Sequence, residues 1–400
     1  MKEEAFIILD ECPIQATGVY YVNYDEALSK AISFIKKERS KTRSAADFKV
    51  AEYYMYRPLK STRSRGADSI DVCFHVINFE NDCGFALVST DIRTTPIYAY
   101  SDKGHLDIND AMTNTGFYEF MKGAEQKYID EIRSYRLDPI IPMPPDSDIT
   151  SLAKIYYQGQ YYYVKIEEFT IEKSPLVPTE WNQCSPYNLM CPIQYGGTYL
   201  FMNHAATGCV ATALAQIIAY HQYPTSLGEV TFDWNTISNS CSFEYNTIDS
   251  ASLMVADFVY RVAVSAQTQF GIQSSSNITK AILALIAWGY HTSNSSAFNE
   301  SNIKNSIDNG YPIYCQGNDA LQNGGHAWVI DGYRYTYELK TYYEATPPYS
   351  RCFTQQINQP TYYHCNWGWG TNKNAYCLNT FVSPNGQYDL NNKILYNIHP

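Results

Sequence analysis

The stretch HAATGCVATALAQIIAYHQYP, residues 204–224, decides how the rest of the chain is read. From Val210 onward the apolar residues Ala213, Leu214, Ile217 and Ile218 recur at the spacing that turns one helical face toward a core. Cys209 falls in the first turn of that helix. Unpaired backbone N–H groups and the positive end of the helix dipole there favour a thiolate over a thiol, which is the form a sulfur nucleophile needs. A cysteine between Gly and Val also suits a plain role as a small buried hydrophobe, so the assignment turns on what the rest of the chain supplies.

Two further motifs supply it. GGHAWVIDGY, residues 324–333, places His326 after two glycines and ahead of an apolar run. Ala327 to Ile330 reads as a buried strand closed by a turn at Asp331-Gly332, with His326 at the strand's edge as a base. HCNWGWG, residues 364–370, adds Asn366, whose amide can accept the imidazole N–H and hold one tautomer, and tryptophans that cover the pair from water. A nucleophile, a base and an orienting group in the order Cys, His, Asn form the set that thiolate–imidazolium acyl transfer requires.

With these motifs and with WNQCSPYNLMCP at 181–192, the chain resembles the streptopain-like family of bacterial secreted cysteine peptidases, of the papain-like clan. The resemblance is strong over about 180–400 and weaker before it. It implies Cys209 as nucleophile and His326 as general base and acid. It also implies that the Gln183 side chain joins the Cys209 backbone N–H in an oxyanion hole, with Asn366 and Trp367 flanking the histidine. The sequence departs from the family in three places. The interval between Cys209 and His326 is shorter, Cys184 and Cys191 are extra, and the glycine-rich loop expected past Tyr376 is missing. These departures put subsite preference and self-processing outside what the resemblance carries.

The 400 residues suffice for two domains with cores of their own. A hydrophobic content of 45% fits a globular protein, and a net charge of −11 argues against nucleic acid or an anionic membrane surface as partner. KKERSK at 36–41 is too short to alter that, and it lies at a helix tail, where cations suit the dipole. No apolar run reaches the 18 or so residues of a membrane span. Eleven cysteines leave ten besides Cys209, which could pair in ways that spacing does not define. No CxxC pair or HxxxH repeat suggests zinc, so neither metal nor cofactor is expected. The 37 tyrosines suit β-strands more than a sugar platform.

The fold class expected is α+β: a papain-like two-part catalytic domain at 171–400, preceded by a small α+β domain at 1–170. In the first domain YDEALSKAISFIKKERSK, residues 24–41, has helical spacing, Val72–Ile77 and Gly84–Ser89 read as a hairpin, and a second helix runs from about Phe117 to Leu137. DPIIPMPPDSD, residues 138–148, then carries four prolines as a stiff connector. By resemblance this domain is an inhibitory prosegment, FHVINFENDCGFALVSTD matching its hairpin region, and the activating cut is expected in an open linker between about Tyr161 and Pro178. In the catalytic half, helices near Ser252–Gln269 and Ser276–Gly289 precede a strand-rich portion from Tyr311, with the cleft between them.

The expected partners are protein or peptide substrates and the chain's own prosegment. The expected location is outside the cytoplasm, secreted or at the cell surface or periplasm, through a signal that MKEEAFIILDEC does not provide. A Cys–His amidase or transglutaminase, and a non-catalytic binding protein on the same fold, are the alternatives.

Overall fold

A computed structural model describes residues 7–9, 20–38, 48–58, 70–108, 115–135, 153–157, 160–196, 201–319, 324–346, 350–380 and 392–400. The proline-rich connector at 138–148 lies outside the described residues.

The amino-terminal unit contains β1 (Ile7–Leu9), α1 (Tyr24–Glu38), β2 (Val50–Arg57), β3 (Phe74–Phe79), β4 (Phe85–Ser89), β5 (Ile97–Ser101) and α2 (Thr115–Ser134). β1 to β5 follow one another as an antiparallel meander. β3, β4 and β5 are buried along their whole length, because α1 and α2 contribute Ala27, Ala31, Ile35, Phe120, Met121 and Ala124 to the same core. Short apolar runs of this kind are what a strand covered on both faces requires.

Next come β6 (Ala153–Tyr157) and β7 (Gln160–Lys173), which pair as a hairpin. They lead into α3 (Cys209–His221), β8 (Ser226–Leu227), β9 (Val230–Thr231), α4 (Trp234–Asn239), α5 (Ser250–Ser265), α6 (Ile278–Ala287), β10 (Ser296–Ala297) and α7 (Glu300–Asp308). The carboxyl-terminal portion holds β11 (Ile313–Asp319), β12 (Gly324–Glu344), β13 (Arg351–Asn358), β14 (Tyr362–Asn366), β15 (Ala375–Leu378) and β16 (Lys393–Leu395). Aspartate or asparagine caps α4, α5, α6 and α7, each accepting a backbone N–H of the first turn.

One sheet joins the two halves. Its order runs β1-β2-β3-β4-β5-β15-β14-β12-β11-β16-β10, the junction being β5 on β15 with Tyr100 opposite Tyr376 and Ala99 opposite Cys377. The Tyr100 and Tyr376 rings stack at 5.2 Å, and the Tyr362 hydroxyl donates to the Ile97 carbonyl at 2.7 Å. Alternation along β12 separates two cores. Ala327 and Val329 face α3, α5 and α6, whereas Trp328 and Ile330 face the core shared with the amino-terminal unit.

Two sequence expectations change here. Asp331-Gly332 does not end a strand: β12 runs through it for 21 residues, with a register shift beside Ile330 and another between Tyr342 and Tyr343. The buried Asp331 carboxylate is occupied instead by the Val177 N–H at 2.9 Å and by His364 Nδ1 at 2.6 Å. And much of the stretch from Tyr161 to Pro178 is no open linker, since β7 lies antiparallel to β12 from Lys173 opposite Tyr333 to Tyr162 opposite Glu344.

Candidate active site

Gly208 precedes α3 with φ at +89°, a conformation only glycine adopts without strain, so Cys209 enters the helix as its first residue with no side-chain cap in front of it. The half-buried sulfur packs against the core that holds Ala327, and the nearby N–H groups of Ala327, Val210 and Cys209 itself favour its charged form. Ala327 adjoins His326, so the fold brings the two motifs together at the start of β12. Burial nevertheless outweighs those N–H groups and raises the Cys209 thiol above its ordinary value. The helix start alone therefore does not make the thiolate expected from the sequence. Among the described residues no hydrogen bond joins Cys209 to His326, so the charged partner that would lower the thiol is not engaged.

His326 is buried on the face of the sheet that meets the amino-terminal unit. Its Nε2 lies 2.8 Å from the Trp367 carbonyl. A carbonyl only accepts, so Nε2 carries the proton and Nδ1 of the neutral ring is left to exchange one. The Trp369 indole approaches the same Nε2 at 3.3 Å, and the Trp328 ring lies nearly parallel to the imidazole at 6.3 Å. Burial pushes the imidazole down to about 4.

The covering comes from the first turn of α2. A Cβ on Gly116 would stand 2.6 Å from His326 Cδ2 and 2.7 Å from Trp367 Cε3, so the backbone of α2 rests directly on both rings. Phe117 meets Trp367 edge to face at 6.5 Å. Elsewhere between the two halves Lys103 forms an ion pair with Glu180, next to Trp181.

Asn366 does not face the imidazole. Its amide is buried against Gln216 of α3, donating to Gln216 Oε1 at 3.1 Å and to the Thr179 carbonyl at 2.7 Å, while its oxygen accepts from Gln216 Nε2 at 3.2 Å and from the Gly368 N–H at 3.2 Å. Gln216 Oε1 also accepts the Trp181 N–H at 3.1 Å. This pair of amides ties α3, the loop before Gln183 and the end of β14 into one frame, and the tautomer-fixing acceptor is the main chain of Trp367. Sequence reasoning missed Gln216, whose one signal is a polar residue within the buried stretch of α3, seven positions after Cys209. Gln183 is half-buried, and its carbonyl accepts the Thr207 N–H at 3.2 Å, which holds its loop two residues from Cys209.

Among the described residues Cys184, Cys191, Cys209, Cys241, Cys315, Cys352, Cys365 and Cys377 are free thiols. Among the described residues no group of three or more His, Cys, Asp or Glu is placed to hold a metal, and no helix is long and apolar enough to cross a membrane.

Two consequences can be measured. Gln216→Leu keeps the bulk but strands one N–H of the Asn366 amide, whose bonds to Thr179 and Gly368 remain, and the Trp181 N–H in a dry site, at a cost of about 1–3 kcal/mol for each unpaired buried group. Chemical denaturation should show that loss, and an unchanged midpoint would contradict the clamp. The second concerns pH. The docked form holds His326 at about 4, below its ordinary 6.5, so it binds fewer protons than a form in which the ring is hydrated. Docking is then at full strength above about pH 6.5 and weakens as pH falls toward 4, by up to about tenfold per pH unit. Hydrogen-exchange protection of α2 in the Cys209→Ala chain should fall over that range and flatten in the additional variant His326→Gln; protection independent of pH in both would contradict it.

A thiol at a helix start, an imidazole on the adjoining strand and an appended domain seated on the imidazole define the class: a cysteine peptidase carrying its own prosegment. Comparison with known proteins gives the family. Residues 181–377 match the peptidase C10 family, and residues 19–128 match the Spi protease inhibitor family. Streptopain of Streptococcus pyogenes is 25% identical over 90% of this chain and 85% of its own. The thiol protease/hemagglutinin PrtT of Porphyromonas gingivalis is 22% identical over 84% of this chain and 38% of its own. Among solved structures, prointerpain A of Prevotella intermedia superposes with a TM-score of 0.54 at 20% identity, covering 86% of this chain and 98% of that one. The chain belongs to the streptopain-like cysteine peptidases of the C10 family, with an inhibitor-type domain in front of the catalytic one.

Proposed function

We propose that the chain is the zymogen of a secreted cysteine endopeptidase in which Cys209 is the nucleophile and His326 the general base and acid. The observation that carries this reading is the packing of Cys209 against the core that holds Ala327, one residue from a histidine whose Nε2 is already tied to a main-chain acceptor. With α2 lifted, rotation of the hydrated imidazole toward the sulfur lets Nδ1 take the thiol proton. The thiolate attacks the substrate carbonyl, and the Cys209 N–H and the Gln183 amide receive the oxyanion. His326 then gives its proton to the leaving amine, and water, deprotonated by the same ring, releases the acid from the thioester.

Asn366 acts through Gln216 as a positioning residue, and Trp367 orients His326 through its carbonyl. Residues 1–170 act as the intramolecular inhibitor, the unit in which α2 covers His326. Export fits an enzyme that must be kept from the proteins of its own cell, and a net charge of −11 leaves nucleic acid out of its partners.

Casein hydrolysis by the trypsin-nicked chain under reducing conditions tests the reading. Thiol-dependent turnover blocked by an epoxysuccinyl peptide inhibitor is the expected result. Labelling by the inhibitor without turnover of any peptide would transfer the chemistry to an amidase or transferase, and neither labelling nor turnover would leave a binding protein.

A further inference from the structure

We infer that the β6–β7 hairpin is a permanent part of the mature peptidase, so that the activating cut falls on the amino-terminal side of Ala153. The inference rests on the zymogen reading above and moves the catalytic unit's start from about residue 171 to before the hairpin. The cut itself is hydrolysis of one peptide bond, water supplying OH to the new carboxylate and H to the new amine.

The hairpin is bound to the catalytic half through β7, and β6 is held by pairing with β7. β7 makes twelve consecutive register pairs with β12, and the same stretch of β12 carries β13 on its other edge. Tyr162 and Val164 of β7 form a small core of their own with Tyr342 and Phe353, and Phe169 stacks on Tyr337 at 5.1 Å. Arg334 of β12 is 3% exposed, and its Nη1 lies 3.4 Å from the Glu172 carboxylate directly opposite it. Departure of β7 would remove that carboxylate from a buried guanidinium and leave a long strand edge bare.

Beyond β7 the chain is held as closely. Lys173 pairs with Asp308 of α7 at 3.3 Å. The Leu176 N–H donates to the Asp331 carbonyl at 3.0 Å, and the Val177 N–H to its carboxylate at 2.9 Å. Gly332 has no Cβ where one would stand 2.8 Å from the Lys173 carbonyl, so the two backbones pack in contact. A peptidase binds its substrate as an extended segment with free main-chain groups, and proteolysis accordingly concentrates where the backbone is exposed and unpaired. Residues 162–173 have one edge committed to β12 throughout, and residues 160–164 have the other edge committed to β6.

The test takes the full chain in two forms. In the wild type, activated by trypsin or by itself, the active species should begin before Ala153, as read by amino-terminal sequencing and intact mass. An active species beginning between Gln160 and Trp181 would overturn the inference. In the Cys209→Ala chain, which cannot process itself, trypsin meets Lys154, Lys165 and Lys173 within the hairpin. Once the inhibitor domain has been digested, residues 153–173 should still elute with the catalytic part on gel filtration; their loss with the prosegment would overturn the inference on its own. Retention in this variant together with a wild type that never gains activity would instead sink the zymogen reading and leave the hairpin assignment standing.

Discussion

Cys209→Ala is expected to lower kcat for peptide hydrolysis by about 10⁴-fold or more while leaving the fold intact, the scale seen when a triad nucleophile is removed. The reasoning is geometric. The backbone at Gly208 and the helix that follows are set by main-chain conformation and by the packing of Val210, Ala213, Leu214 and Ile217, none of which needs the sulfur. The half-buried thiol is uncharged in the docked form, so its removal deletes one soft atom and no ion pair. Melting temperature should shift by only a few degrees, within the range of a change of about 1 kcal/mol. Residual turnover of a few per cent that resists the inhibitor would show that another group performs the attack.

Gly116→Leu is expected to do the opposite to the unprocessed chain and switch it on. The first turn of α2 sits on His326 and Trp367 so closely that even a Cβ would lie under 3 Å from carbons of both rings. Neither contact is with the far end of a flexible chain: both are ring atoms, in side chains that are themselves buried. Overpacking of this kind costs about 1–3 kcal/mol. Taken from the docked state, that is roughly a 5- to 150-fold rise in the fraction with α2 lifted, and initial rates measured while mass spectrometry still shows an intact chain should rise in proportion. An intact variant no more active than the parent would mean that α2 is not what holds His326 back.

The sequence read the catalytic half well where the chemistry lies in side chains on regular elements. The periodicity after Val210 put Cys209 at a helix start, and the apolar run after His326 put the histidine on a strand. What it could not read depends on main-chain atoms and on context. The acceptor that holds His326 is the Trp367 carbonyl, and a carbonyl has no letter in the sequence. Asn366 looked like the orienting group because its partner Gln216 is hidden inside an otherwise apolar helix, where a polar residue reads as solvated. Asp331-Gly332 carries turn chemistry, yet the buried carboxylate is satisfied by Val177 and His364, and the strand continues. In the amino-terminal unit the hairpin and both helices were legible from pattern. That its sheet continues into the catalytic one through β5 and β15 is a long-range pairing with no local signature.

The rate at which an epoxysuccinyl peptide inhibitor alkylates the chain, before and after prosegment removal, with the labelled residue mapped by peptide mass spectrometry, tests the central claim most directly. The account predicts one adduct, on Cys209, forming at least about a hundredfold faster once the inhibitor domain is gone, because a neutral half-buried thiol becomes a thiolate beside imidazolium. An adduct on another cysteine, or labelling of Cys209 at the same rate in both forms, would contradict it.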